Sequence, residues 1–282
     1  MVRSTYPLAY RRRMSRFEID TDVQPLGDGR YQARIDEGWW VQAGPNGGYV
    51  GAILLRALER EVADPERVCR SFTVHYLARP EVGPADVEVS VERSGRSMTS
   101  ASARLSQGGR PLAIAVAALS RPRPGPEFQD LVMPDVAPPE ECSGGPFSGA
   151  VPARAVPTLA QRYDYRHAIG PAPFSGADEA LTGGWIRLSE PRPVDPALLV
   201  AYVDAWMPAL FGRLRGPWGI TTVDLTVHVR SLPPEPYDDW CLLRFRSTVS
   251  AAGFCEEDGE VWTRDGQLLA HSRQLAALIE MG

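Results

Sequence analysis

Two parts of this 282-residue chain repeat each other, and the repeat constrains the fold more than any other feature of the sequence. "SFTVHYLARP" (71–80) lies over "DLTVHVRSLP" (224–233), matching Thr73, Val74 and His75 with Thr226, Val227 and His228, and Pro80 with Pro233. "GGRPLAIAVAAL" (108–119) lies over "DGQLLAHSRQLA" (265–276) at a similar offset, which pairs Ala117 with Gln274. Each copy has the same order of elements. A Gly-containing strand, "GRYQARID" or "GGWIRLSE", precedes a loop and an apolar helix, "GGYVGAILLRALEREV" or "PALLVAYVDAWMPALFGRL". Strands of alternating character follow, roughly 72–78, 85–93 and 98–119 with a Gly-Gly turn, against 222–230, 240–249 and 253–279 with an Asp-Gly turn. A helix this apolar must be covered on most of its circumference, so each copy predicts an antiparallel sheet wrapped around its helix. Paired copies then leave a seam, the kind of place where pockets form. The expected organisation is α+β, with one repeat in 1–122, a Pro/Gly-rich linker in 123–157 and a second repeat in 158–282.

The formal net charge is −5 and all thirty basic residues are Arg, with no Lys, which leaves no basic footprint for nucleic acid. The basic stretch "YRRRMSRF" (10–17) is not followed by the apolar h-region of a signal peptide, and no segment approaches the roughly 18 apolar residues of a membrane span. These features predict a soluble, cytoplasmic protein. Cys69, Cys142, Cys241 and Cys255 are widely spaced, with no Cys-x-x-Cys pair and no clustered His, so free thiols are expected rather than disulfides or a metal site.

Polar residues at apolar positions point to the chemistry. In the second helix Leu199, Val203, Trp206, Leu210 and Leu214 form an apolar stripe, and Asp204 lies one residue off it, either facing solvent or held by a partner. Pro208 removes the N–H that would bond the Asp204 carbonyl, so the helix should bend or open there. Gln274 shares a strand face with small apolar residues and needs a hydrogen-bond partner, which a neighbouring backbone could supply. Thr222 opens "TTVDLTVHVR" on the face opposite Val223 and Leu225, and reaches a core-facing site only if a bulge re-aims it; Thr221 is the alternative. In the first copy, Asn46, Gly47, Gly48 and Tyr49 begin the helix. Free backbone N–H groups there suit an anion or a polarised carbonyl, and Asn46 equally suits a plain N-cap. No Gly-x-Ser-x-Gly elbow is present, and His75 and His228 occupy equivalent repeat positions, which suggests structural roles.

The repeated helix-and-strands pattern, "PNGGY", Asp204, "TTVD" and "DGQLLAHSRQ" together resemble the double-hotdog acyl-CoA thioesterases, close to the acyl-CoA thioesterase II type, over nearly the whole chain apart from the linker. The resemblance implies a double-hotdog fold and hydrolysis of an acyl-CoA thioester, with Asp204, Thr222 and Gln274 jointly holding the hydrolytic water. Asn46, Gly47, Gly48 and Tyr49 would meet the substrate. It implies no cofactor and acyl-CoA as the small-molecule partner; exposed sheet edges, which tend to be covered by pairing, predict a homo-oligomer. The chain departs from the family pattern at Leu225, where a His is usual, at Leu275, where an acid is usual, and at "GPNGGY" in place of Gly-Gly-Gln, all of which bear on substrate range. Two rival readings are a hotdog enoyl-CoA hydratase or dehydratase, and a non-catalytic acyl-CoA or lipid-binding protein in which Asp204 merely pairs with Gln274.

Overall fold

A computed structural model describes residues 14–42, 44–148, 152, 154, 156–216 and 218–281, so the first four residues of the basic stretch 10–17 lie outside the described residues. The first repeat contributes β1 (Arg30–Ile35), helix α1 (Gly47–Val62), β2 (Val68–Tyr76), β3 (Gly83–Ser94), β4 (Met98–Gln107) and β5 (Arg110–Ser120). The second contributes β6 (Ala180–Leu188), helix α2 (Pro196–Tyr202), β7 (Trp218–Val229), β8 (Cys241–Ser247), β9 (Phe254–Thr263) and β10 (Leu268–Glu280). The strands join one antiparallel sheet in the order β1-β3-β4-β5-β2-β7-β10-β9-β8-β6, with Gln24–Gly27 and Tyr163–Ile169 at its two ends. Each half repeats the same strand order outward from the centre. The fold is a double hotdog of α+β class.

At the centre β2 meets β7, and Thr73 pairs with Thr226 in register, their hydroxyls 3.0 Å apart. Residues that the sequence repeat aligns therefore meet each other, as a local two-fold axis requires. The Gly-Gly turn closes β4 onto β5 with Gly108 and Gly109 at φ 56° and 79°, the left-handed pair that a two-residue hairpin demands. In α1 every residue from Gly48 to Leu58 is buried except Arg56. A stretch buried all round must be covered on every side, and the strands of the first repeat together with α2 cover it.

The second helix is shorter than its apolar stripe predicts. It ends at Tyr202, and only a 3-10 turn, Ala209–Gly212, continues the stretch expected to be helical through 214. Pro208 explains the break: it sits at φ −54°, ψ 138°, extended rather than helical, and offers no N–H to the carbonyl four residues back. Asp204 thus falls in a turn just past the helix rather than within it.

Residues 121–138 form neither helix nor strand; 121–132 are exposed, and from Met133 onward the segment is in part laid against the second repeat. Met133, Val136 and Cys142 cover a second apolar cluster of Ile169, Trp185, Trp240, Leu242, Trp262 and Leu268. The Trp185 indole donates to the Ala137 carbonyl at 2.9 Å, and Arg264 pairs with Glu140 at 2.6 Å. The main core runs through both repeats as a single cluster. Among the described residues no helix is long and apolar enough to cross a membrane.

Candidate active site

Asp204 crosses the seam between the repeats. Its Oδ2 accepts from the Gly48 N–H at 2.8 Å and from Asn46 Nδ2 at 2.9 Å, so a carboxylate of the second repeat sits on the N-terminus of the first repeat's helix. Free N–H groups and the helix dipole favour an anion at that place. Asn46 serves both readings of its position: Oδ1 caps α1 by accepting the Tyr49 N–H at 3.0 Å, while Nδ2 also donates to the Asp204 carbonyl at 2.6 Å. That carbonyl is the one Pro208 deprives of a helical partner.

The glycines permit the approach. A Cβ on Gly48 would lie 2.8 Å from the Val200 carbonyl oxygen and 2.9 Å from that of Ala201. Gly48→Ala should therefore cost about 1 to 3 kcal/mol by prising α1 from α2. Gly51→Ala meets side chains rather than backbone, Val200 Cγ1 at 2.9 Å and Phe72 Cε1 at 3.3 Å, and its gain of about 1 kcal/mol in helix propensity offsets part of the repacking, so it should cost less than Gly48→Ala. Urea unfolding of the two variants checks the contrast, and equal losses would contradict it.

Burial pushes the Asp204 carboxyl up to about 6, against the pull of the Gly48 and Gly47 N–H groups and the Asn46 amide. Tyr76 donates to the Gly47 carbonyl at 2.7 Å, and its phenol is raised by burial and then by the nearby charges of Asp204 and Asp224. Tyr163, raised by burial and by Asp204, has a buried hydroxyl with no hydrogen-bond partner among the described residues. Tyr49, expected at the substrate, is fully buried and stacked on Trp39 at 5.1 Å, with its hydroxyl donating to the Asp20 carbonyl at 2.9 Å. Only its backbone belongs to the start of the helix.

Thr222 and Gln274 are brought together. The β7–β10 register shifts between Thr222 and Asp224, and this bulge turns Thr222 to the Gln274 face, where Oγ1 donates to Gln274 Oε1 at 3.0 Å. Thr221 is exposed. Gln274 Nε2 donates to Glu257 Oε1 at 2.9 Å, and Glu257 Oε2 accepts the Ala209 N–H at 2.5 Å. Burial pushes Glu257 up to about 7, with the Asp204 charge adding to the rise. No hydrogen bond joins Asp204 to Thr222 or Gln274 among the described residues. Glu257 is absent from the sequence-based expectations, although it shares an alternating strand face with Cys255, Gly259 and Val261, where an acid is out of place.

A surface depression of about 490 Å³ lies elsewhere, lined by Thr226, His228, Arg244, His271 and Arg273 among others. Arg273 and His271 alternate with Gln274 along β10 and point to the opposite face of the sheet. Among the described residues no three His, Cys, Asp or Glu side chains are grouped to hold a metal ion.

A solved hot dog protein of unknown function from Alicyclobacillus acidocaldarius is similar in structure, with TM-score 0.83 and 27% identity over 95% of this chain and 100% of that one. A putative thioesterase II from Thermobifida fusca gives TM-score 0.79 and 25% identity over 95% and 98% of the two chains. An uncharacterized protein of Mycobacterium tuberculosis is 25% identical over 273 residues, covering 87% of this chain and 90% of its own. Residues 36–120 match the family model of the acyl-CoA thioesterase N-terminal domain, and residues 139–278 match that of the C-terminal domain. With both halves matched in order on a double-hotdog fold, the chain belongs to the acyl-CoA thioesterase family.

Proposed function

We propose that this protein hydrolyses an acyl-CoA thioester to the free acid and CoA, with a water activated at Asp204. The observation that carries this reading is the Asp204 carboxyl, held at a helix N-terminus in the seam and raised to about 6. Near neutrality such a group is ionised and is still a better base than an exposed aspartate. The bonds that fix it fall on Oδ2, leaving Oδ1 to take a proton from water. The water oxygen attacks the thioester carbonyl, and the tetrahedral intermediate collapses by breaking the C–S bond. The proton held by Asp204 then passes to the departing CoA sulfur, so water is divided between acid and thiol.

Thr222 and Gln274 complete the reading as holders of that water. Because the Gly48 N–H is taken by Asp204, the donor for the developing oxyanion is the second N–H of Gln274, the one not given to Glu257. One such donor is worth about 10²- to 10³-fold in rate. Asn46, Gly47 and Gly48 act on the substrate through Asp204, whose position they set. The route draws on no cofactor. A cytoplasmic homo-oligomer, its open sheet ends covered by pairing, goes with this reading.

Release of free thiol from a panel of acyl-CoA esters, short to long chain, tests it with the purified protein beside Asp204→Asn. Turnover lost in the variant supports hydrolysis at Asp204. Bound ester without turnover would make the seam a carrier's binding site.

A further inference from the structure

We propose that Glu257 is a positioning residue for the reaction, fixing which way the Gln274 amide faces; the inference rests on the hydrolase reading above. Glu257 and Gln274 are register partners on β9 and β10, each 8% exposed. An amide side chain has two orientations related by a flip. With Glu257 accepting from Nε2 and Thr222 donating to Oε1, only one of them satisfies both neighbours. The flipped amide would put its oxygen against a carboxylate. The Ala209 N–H holds the other carboxylate oxygen, so Glu257 is itself fixed at both ends. The adjacent Glu256 does not share the task, since it accepts from Thr248 and Val249 at the turn before β9.

The first repeat shows that the fold has no need of this polar pair. There Ala101 and Ala117 are the register partners on β4 and β5, 0% and 2% exposed, and Ala117 faces Phe72 on β2 as Gln274 faces Leu225 on β7. The same scaffold position thus packs well as Ala against Ala. Placing a buried carboxylate there, within reach of the charge of Asp204, works against stability and needs a functional reason.

The test is a double-mutant cycle on kcat for thioester hydrolysis with Glu257→Ala, Gln274→Ala and both together. Glu257→Ala should lower kcat by roughly 10- to 100-fold with little change in KM, the scale of a misplaced reacting group. In the Gln274→Ala background the same change should lower kcat no further, because a residue acting through Gln274 has nothing left to position. The double variant reproduces the Ala–Ala pair of the first repeat and should fold. If Glu257→Ala alone is poorly folded, Glu257→Gln carries the test, since its one amide oxygen cannot serve both Gln274 and the Ala209 N–H. Wild-type kcat in Glu257→Ala, or equal losses in both backgrounds, overturns the assignment while leaving the hydrolase reading in place. Absence of turnover by the wild type with every ester overturns the hydrolase reading, and this inference with it.

Discussion

Asp204→Asn is expected to lower kcat by about 10²- to 10⁴-fold, the usual worth of a general base, while melting no lower than wild type at pH 7.5. The fold should tolerate the change because an Asn oxygen in the place of Oδ2 can still accept from Asn46 Nδ2 and the Gly48 N–H. The stability sign follows from linkage. The carboxyl is near 3.8 in an unfolded chain and about 6 here, so between pH 4 and 6 the folded protein holds a proton that the unfolded chain has lost. Wild-type stability therefore falls as pH rises through that window. Above it the folded protein carries the whole cost of ionising Asp204, roughly 3 kcal/mol, which the amide does not bear. The melting difference between variant and wild type should widen from pH 4 to pH 7.5. A variant that turns over normally, or that melts well below wild type at every pH, would remove the base assignment.

In the wild type, kcat/KM should climb with pH and level off above about pH 7. Burial raises both Asp204, to about 6, and Glu257, to about 7, and both must be ionised, one to accept a proton and the other to hold Gln274. A profile flat from pH 5 to 8 would show that neither titration controls the reaction.

The repeat made the architecture legible. Thr73 and Thr226, aligned by sequence, meet across the central strands, and the strand order of one half is the strand order of the other. Period-2 alternation located strands such as β10, which bury one face, and α1 could be read because Gly48–Leu58 is apolar all round but for Arg56. The break in the second helix was half legible. Pro208 announced it, but the apolar stripe on both sides of Asp204 reads as continuous, since residues in a turn can bury their side chains as fully as residues in a helix. Thr222 shows the limit of face arithmetic: one bulged residue reverses every assignment before it. Glu257 was missed for a related reason. In "FCEEDGEVWT" four acids lie within five positions, and the aligned repeat, where Ala101 stands, is what separates the buried one from the solvated ones. The Asn46–Asp204 contact spans 158 positions, and no local pattern encodes a hydrogen bond between two repeats.

Replacing Asn46 by Ala is expected to cost about 2 to 3 kcal/mol, more than the roughly 1 kcal/mol of an ordinary cap. Asn46 is 3% exposed and its two amide atoms do different work. Oδ1 satisfies the Tyr49 N–H, as any N-cap would. Nδ2 satisfies the Asp204 carbonyl, which lies four residues before Pro208 and so has no helical donor to fall back on. Asn46→Ser separates the two tasks, because a Ser hydroxyl can cap α1 but is too short to replace the amide across the seam. It should recover the cap and leave the rest of the loss. Both variants also withdraw a donor that favours the ionised carboxyl, so the Asp204 titration should move above 6 and carry the acid limb of kcat/KM with it. Urea unfolding and pH–rate profiles of the two variants measure these effects separately. If Ser restores full stability and leaves the acid limb where the wild type has it, Asn46 is a cap and nothing more, and the carboxylate owes its place to the Gly48 N–H.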